Sequence, residues 1–279
     1  MVPGDAHETP AADGPESPRP MVPAAFPACD TAHDGRIEGA HAMRRPVKPR
    51  PDDARDTLEL PFPDRAAAGQ ALARRLSEVV PPPVESRPRP VVLGIPRGGV
   101  PVAATVAEAL GADLDVLVAH KVGAPGEPEL AVGAVAADGS TLMEPWASEV
   151  GITDDAAFRR AADAELARAR ARETALRAGR PPVPLADRFV ILVDDGMATG
   201  ATMHVATLAA QRAGAERTIV AVPVASAEAV DALRRVADAV VVVATPRWFR
   251  AVGEWYRRFE QIDDAEVERI LTSAARDSA

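Results

Sequence analysis

The chain has 279 residues, with 32 lysines and arginines against 41 aspartates and glutamates, so its formal net charge is −9. Apolar residues make up 47%, enough to bury a core in one large domain, and the acidic balance argues against a broad nucleic-acid surface. The single cysteine, Cys29, excludes an intramolecular disulfide framework and a cysteine-based zinc site, and no apolar run approaches the ~20 residues of a membrane span. No basic start followed by an apolar stretch opens the chain. The expectation is a soluble cytoplasmic protein with neither membrane nor nucleic acid as partner.

Residues 1–57 read as a disordered Pro-rich tail. They hold ten of the 27 prolines and one aromatic, Phe26, too little apolar surface to offset chain entropy. Met21 and Met43 are alternative starts. The domain is expected over 58–279. Asp64 is placed to cap a helix whose inner face is Ala68, Leu72, Leu76 and Val79. Pro81–Pro83 ends it, and a Pro/Arg linker leads to a strand at Val91–Ile95. The turn Pro96–Gly99 feeds a helix, Val100–Leu110. Strands follow at Leu114–His120 and Leu130–Ala136, joined by the loop Gly123–Glu129, with an edge strand at Ser140–Met143.

Thr153–Ala178 reads as a long, charge-rich outer helix with a thin stripe at Phe158, Ala162, Leu166, Ala169 and Leu176. Strand Phe189–Val193, helix Ala201–Ala213, strand Arg217–Val222, helix Ser226–Val236 and strand Ala239–Val243 complete the alternation. Asp263 and Glu266 look like a capping box for a last helix. Strands that are Val/Ile runs, alternating with helices, predict an α/β domain with a parallel central sheet flanked by helices.

The most informative segment is Val190–Thr202. A buried strand delivers Asp194 and Asp195 to its carboxyl end, where open α/β sheets bind ligands. The loop Gly196, Met197, Ala198, Thr199, Gly200 then enters a helix at Ala201 and Thr202. Unpaired amides at a helix start, with the Thr199 and Thr202 hydroxyls, make a cradle for a phosphate monoester. The neighbouring carboxylates suit sugar hydroxyls or a hydrated Mg²⁺. The bland alternative is an ordinary strand-to-helix turn with an acid and a threonine cap. No lysine follows Gly200 as a nucleotide P-loop requires.

These thirteen residues resemble the phosphoribosyl-pyrophosphate (PRPP) signature of the type I phosphoribosyltransferases, and the likeness extends over about residues 58–275. It is nearest to a bacterial branch of mostly unassigned substrate. The resemblance implies that Asp194 and Asp195 hold the ribose hydroxyls and contact Mg²⁺, and that Ala198–Thr202 hold the 5′-phosphate. It further implies a small C-terminal hood over a nitrogen-heterocycle acceptor; dimers are common in the family. Arg97, Gly98 and Gly99 then form the pyrophosphate loop, where the family often carries a strained or cis peptide. Paired glycines permit close backbone approach, and Arg97 offers a forked donor set.

Lys121 is the only lysine of the expected domain in a chain with 30 arginines, which hints that a compact ammonium is wanted there. By resemblance it joins Arg97 against the leaving group. Its neighbour His120 is either a half-buried strand histidine or a catalytic one. The loop Gly123–Glu129 matches the family's flexible catalytic loop, and its acids, Glu127 and Glu129, are solvated or touch Mg²⁺ or substrate. Five of ten aromatics fall in 248–259. They form either a small cluster fastening the last helix or a base-stacking platform, with Trp248 and Phe249 the better base contacts. Ala198 stands where some members place an acid near the purine, so a 6-oxopurine acceptor loses its proton partner. The expected activity is phosphoribosyl transfer to a nucleobase; the alternative is a PRPP- or nucleotide-sensing module that transfers nothing.

Overall fold

Phe189–Val193 (β6) is the middle strand of a five-stranded parallel sheet, and all five of its side chains are buried. The computed structural model describes residues 60–82, 88–124, 126–152 and 155–277; the expected tail, with Met21 and Met43, lies outside the described residues. The parallel sheet also contains Val91–Gly94 (β1), Asp113–Val116 (β2), Arg217–Val224 (β7) and Ala239–Ala244 (β8), in the order β2-β1-β6-β7-β8. After β1 the chain crosses to β2 on one side and later returns to β6 on the other. The carboxyl ends of β1 and β6 therefore flank a topological switch point, the place where such sheets open a ligand crevice.

Both faces of the sheet are covered, which is why its strands are continuous apolar runs. Val92, Ile191, Val193 and Ile219 pack against Arg65–Leu76 (α1) and Gly99–Leu110 (α2). Leu93, Val190, Leu192 and Val222 face Ala201–Arg212 (α4) and Ala227–Leu233 (α5). Ile191 is 0% exposed at the centre of this core. Ile191→Ala is expected to lower unfolding free energy by about 2–5 kcal/mol, through lost burial and a residual cavity; chemical denaturation measures it.

A second sheet departs from the sequence reading. Ala119–Ala124 (β3), Glu127–Ala136 (β4) and Thr141–Met143 (β5) form a separate antiparallel sheet in the order β3-β4-β5. The expected strand Leu114–His120 is thus broken between two sheets. Buried Asp115 accepts from Arg177 Nε at 3.0 Å, and the Val118 amide donates to the Glu173 carboxylate at 3.0 Å, so helix Asp155–Arg177 (α3) takes over the pairing at the break. The expected loop Gly123–Glu129 is instead the tip of the β3–β4 hairpin, with register shifts around Gly123; the side chain of Glu129 lies outside the described residues.

Smaller differences have local causes. Val79 is 41% exposed while Val80 is buried, because α1 ends at Leu76 and the helical period no longer applies beyond it. On α3, Phe158, Ala162, Ala169 and Leu176 are buried as the stripe requires. Asp263 caps the terminal helix Asp264–Asp277 (α6) by accepting the Glu266 amide at 2.7 Å. Among the described residues no helix is long and apolar enough to cross a membrane.

Candidate active site

Two turns meet at the switch point. The Ile95 amide donates to the Val193 carbonyl at 2.8 Å, so β1 and β6 stay paired up to the place where both chains leave the sheet. From β1 comes Pro96–Gly99, with a cis Pro96–Arg97 peptide bond. From β6 comes Asp194–Gly200. The turns are in direct contact through the glycines. A Cβ on Gly98 would stand 1.9 Å from Asp195 Oδ2, and one on Gly99 would stand 2.6 Å from the Val193 carbonyl and 2.8 Å from Asp194 Cα. The expected close approach at Gly98 and Gly99 is therefore, in the first instance, an approach to the acid pair.

The second turn is laced down on one side and open on the other. The Met197 amide donates to the Val224 carbonyl at 3.0 Å, and the Ser226 amide to the Met197 carbonyl at 3.0 Å. Ser226 Oγ donates to the Ala198 carbonyl at 2.7 Å and also caps α5. Carbonyls are thereby drawn toward β7 and α5. Gly196 sits against the short helix Val252–Trp255, where a Cβ would come within 2.5 Å of Val252. Ala198 and Thr199 are exposed, Thr202 is half-buried, and Gly200 opens α4 with φ +82° and no side-chain cap. Among the described residues the Thr199 and Thr202 hydroxyls have no protein partner. With the first amides of α4, which a helix cannot pair internally, they are free to receive an anion.

The two acids sit differently. Asp194 is half-buried, and its Oδ1 accepts the Asp195 amide at 2.8 Å. Burial, and then the negative charge of Asp195, hold its carboxyl well above the ordinary carboxylate range. Asp195 is 9% exposed and bound by an arginine: Oδ2 accepts from Arg65 Nε at 2.9 Å and lies 2.8 Å from Arg65 Nη2. Burial raises its carboxyl too, against the pull of Arg65. Tyr256 donates its hydroxyl to the Asp195 carbonyl at 2.5 Å; burial and the Asp195 charge push that phenol far above its usual range.

Arg97 and Lys121 are both exposed. Lys121 alternates with His120 and Val122 along β3. Val122 packs on α3 and His120 meets Glu165 of α3 at 3.2 Å, so Lys121 lies on the opposite face, which it shares with its register partner Ala134 beneath α4. Among the described residues no hydrogen bond or ion pair joins Lys121 to Arg97, Asp194 or Asp195. The aromatics divide. Trp248 is 77% exposed with the Arg247 guanidinium 5.5 Å from its ring, whereas Phe249 packs against the cluster around Phe62 and Tyr256.

A family model described as the phosphoribosyl transferase domain matches residues 66–256, the span that carries both turns. The chain belongs to that family. This phosphoribosyltransferase-family chain is 43% identical over 218 residues to Rv0571c and MT0597 of Mycobacterium tuberculosis, both provisionally named as phosphoribosyl transferases. The match covers 78% of this chain but 48% of those proteins, so the chain spans about half the length of these curated relatives. The crystal structure of TT1426 from Thermus thermophilus is 43% identical with a TM-score of 0.65, covering 76% of this chain and 98% of that one.

Three contributors escaped the sequence reading of this phosphoribosyltransferase domain: Arg65, Tyr256 and Ser226. Arg65 is one arginine among 30, and it follows an aspartate whose capping role accounts for the local pattern. Tyr256 was legible only as one of an aromatic group. Ser226 was legible as a helix start, but its bond to Ala198 spans 28 positions.

Proposed function

We propose that this domain transfers 5-phosphoribose from PRPP to a nitrogen-heterocycle acceptor and releases pyrophosphate. The observation that supports this best is the packing of the Gly98–Gly99 turn onto Asp194 and Asp195, beside the uncapped start of α4. In this reading the 5′-phosphate sits on the Thr199–Thr202 amides and hydroxyls. Asp194 accepts from the ribose hydroxyls. The diphosphate lies over the Arg97–Gly99 turn.

The donor set suits a cation that arrives with its substrate. Among the described residues no three histidine, cysteine or carboxylate side chains stand together as a metal site, and Asp195 Oδ2 is taken by Arg65. A hard ion seeking six oxygens would draw most of them from PRPP and water, with Asp194 as the main protein contact. When bound, Mg²⁺ neutralises charge on the departing diphosphate.

Bond breaking at the ribose C1 leaves positive charge on the ring and negative charge on the diphosphate. The negative field of Asp194 favours the first, and Arg97 with Lys121 favours the second. The acceptor nitrogen bonds to C1 on the face opposite the departing diphosphate and gives up its proton to the diphosphate or to solvent, and holding both reactants in line supplies much of the effect. Exposed Trp248 is the acceptor contact in this reading, and half-buried Phe249 contributes from the cluster around Phe62 and Tyr256.

The test is pyrophosphate release from PRPP and Mg²⁺ with a panel of purine, pyrimidine and pyridine bases. Release with one base establishes the transfer. PRPP binding without release for every base would point to the sensing module, and absence of PRPP binding would sink both.

A further inference from the structure

Arg65 is nine-tenths buried at the first turn of α1 and uses three edges at once. Nε and Nη2 hold Asp195 Oδ2 at 2.9 and 2.8 Å, and Nη1 donates to the Glu260 carbonyl at 2.8 Å. Its guanidinium carbon lies 4.0 Å from the centroid of the Phe259 ring, which stacks at 5.0 Å on Tyr256. Tyr256 also grips the Asp195 carbonyl. The short helix Val252–Trp255 rests on Gly196 within the same turn, and the Phe62 amide and carbonyl bond to the Trp255 carbonyl and the Arg257 amide at 2.8 Å each. One planar cation thus ties the start of α1, the hood segment 252–260 and the second acid of the pair.

A buried arginine with a carboxylate, a carbonyl and a ring arranged around its fork is specific in a way a point charge is not. Surface ion pairs at this seam do not share the property: Arg258 also bonds Asp64, but Arg258 is exposed.

We propose that Arg65 is a positioning residue that makes the hood and the acid pair move as one unit, holding Asp195 in place so that Asp194 is the carboxylate turned to the ligand. The proposal rests on the reading of this site as a PRPP site. It has a consequence beyond packing. If PRPP orders the acids, it also orders the hood, and by reciprocity an occupant under the hood tightens PRPP binding. Free energy passes between the two through the guanidinium.

The experiment is hydrogen exchange of the 252–260 amides, with and without PRPP and Mg²⁺, in wild type, Arg65→Gln, Arg65→Lys and Arg258→Gln, alongside PRPP titration by calorimetry. In ligand-free protein Arg65→Gln is expected to speed hood exchange about tenfold or more, as loss of a buried charged contact opens a local unit. Arg65→Lys should recover part of this, and Arg258→Gln should stay within about twofold of wild type. With PRPP, the wild-type hood slows further, whereas the Arg65→Gln hood does not respond.

Unchanged hood exchange in Arg65→Gln, or equal effects from Arg258→Gln, overturns the proposal. So does a PRPP-dependent slowing that survives in Arg65→Gln. Should Arg65→Gln not fold, Tyr256→Phe removes the hood's grip on the Asp195 carbonyl while keeping every charge; faster hood exchange supports the coupling, and wild-type exchange overturns it. If wild type binds no PRPP, the functional reading fails, and the ligand-free exchange still decides whether Arg65 holds the hood.

Discussion

Asp194→Asn is expected to lower the proposed PRPP-dependent activity about 10²–10³-fold while making the ligand-free protein more stable at neutral pH. Asp194 is half-buried, and Arg65 is paired with Asp195 rather than with it. In the proposed function its loss removes the acceptor for ribose hydroxyls and the cation contact, and a drop of about 10²–10³ in turnover matches the removal of one preorganised electrostatic group. The stability gain has a definite sign. The folded-state value of Asp194 is raised by burial and by Asp195, so its favourable contribution is complete below the unfolded carboxylate value, near 3.9, and is lost as pH rises through the folded one. At neutral pH the ionised pair is therefore a cost, and the amide removes it. A gain of about 1 kcal/mol, or roughly 2–4 °C in Tm, is the expected size. It should fade as pH falls toward the ordinary carboxylate range. Calorimetric melts from acid to neutral pH, paired with the pyrophosphate assay, check both halves. Wild-type turnover in Asp194→Asn would contradict the site; an unchanged or lowered Tm at neutral pH would contradict the electrostatics.

Gly98→Ala is expected to lower both stability and PRPP binding through a single added methyl group. The φ of Gly98 is −63°, which suits any residue, so only space excludes a side chain there. The added carbon would meet Asp195 Oδ2 at 1.9 Å and Cγ at 2.6 Å. Asp195 has no simple way to yield, because Arg65 holds the same oxygen by two nitrogens. The two turns must part. Overpacking of this kind costs about 1–3 kcal/mol, and a displacement of about 1 Å at a positioned site costs of order 10² in rate. Urea unfolding and PRPP titration measure the two effects. A Gly98→Ala protein with the wild-type midpoint and affinity would mean the turns are not wedged together.

Much of this site could be read without coordinates because its parts are local. The run Phe189–Val193 is a strand because five consecutive apolar residues must be buried on both faces. The acids after it, the open glycine-threonine turn and the helix at Ala201 follow within nine positions. The small antiparallel sheet was not legible. Leu114–His120 has the composition of one strand, and what breaks it is the competition of Arg177 and Glu173, some sixty positions away, for Asp115 and the Val118 amide.

Local order in the sequence determined the alternation of strands and helices, the place of the glycine-threonine turn and the family to which the chain belongs. Hydrophobic period and backbone chemistry act over a few residues and leave their mark in the residues themselves. Tertiary structure alone decided that Gly98 meets Asp195, that Arg65 reaches across 130 positions to hold that same carboxylate, and that Trp248 and Phe249 part company. Such contacts depend on which surfaces the fold brings within a few ångströms of one another, and an arginine or a glycine carries no sign of its distant neighbour.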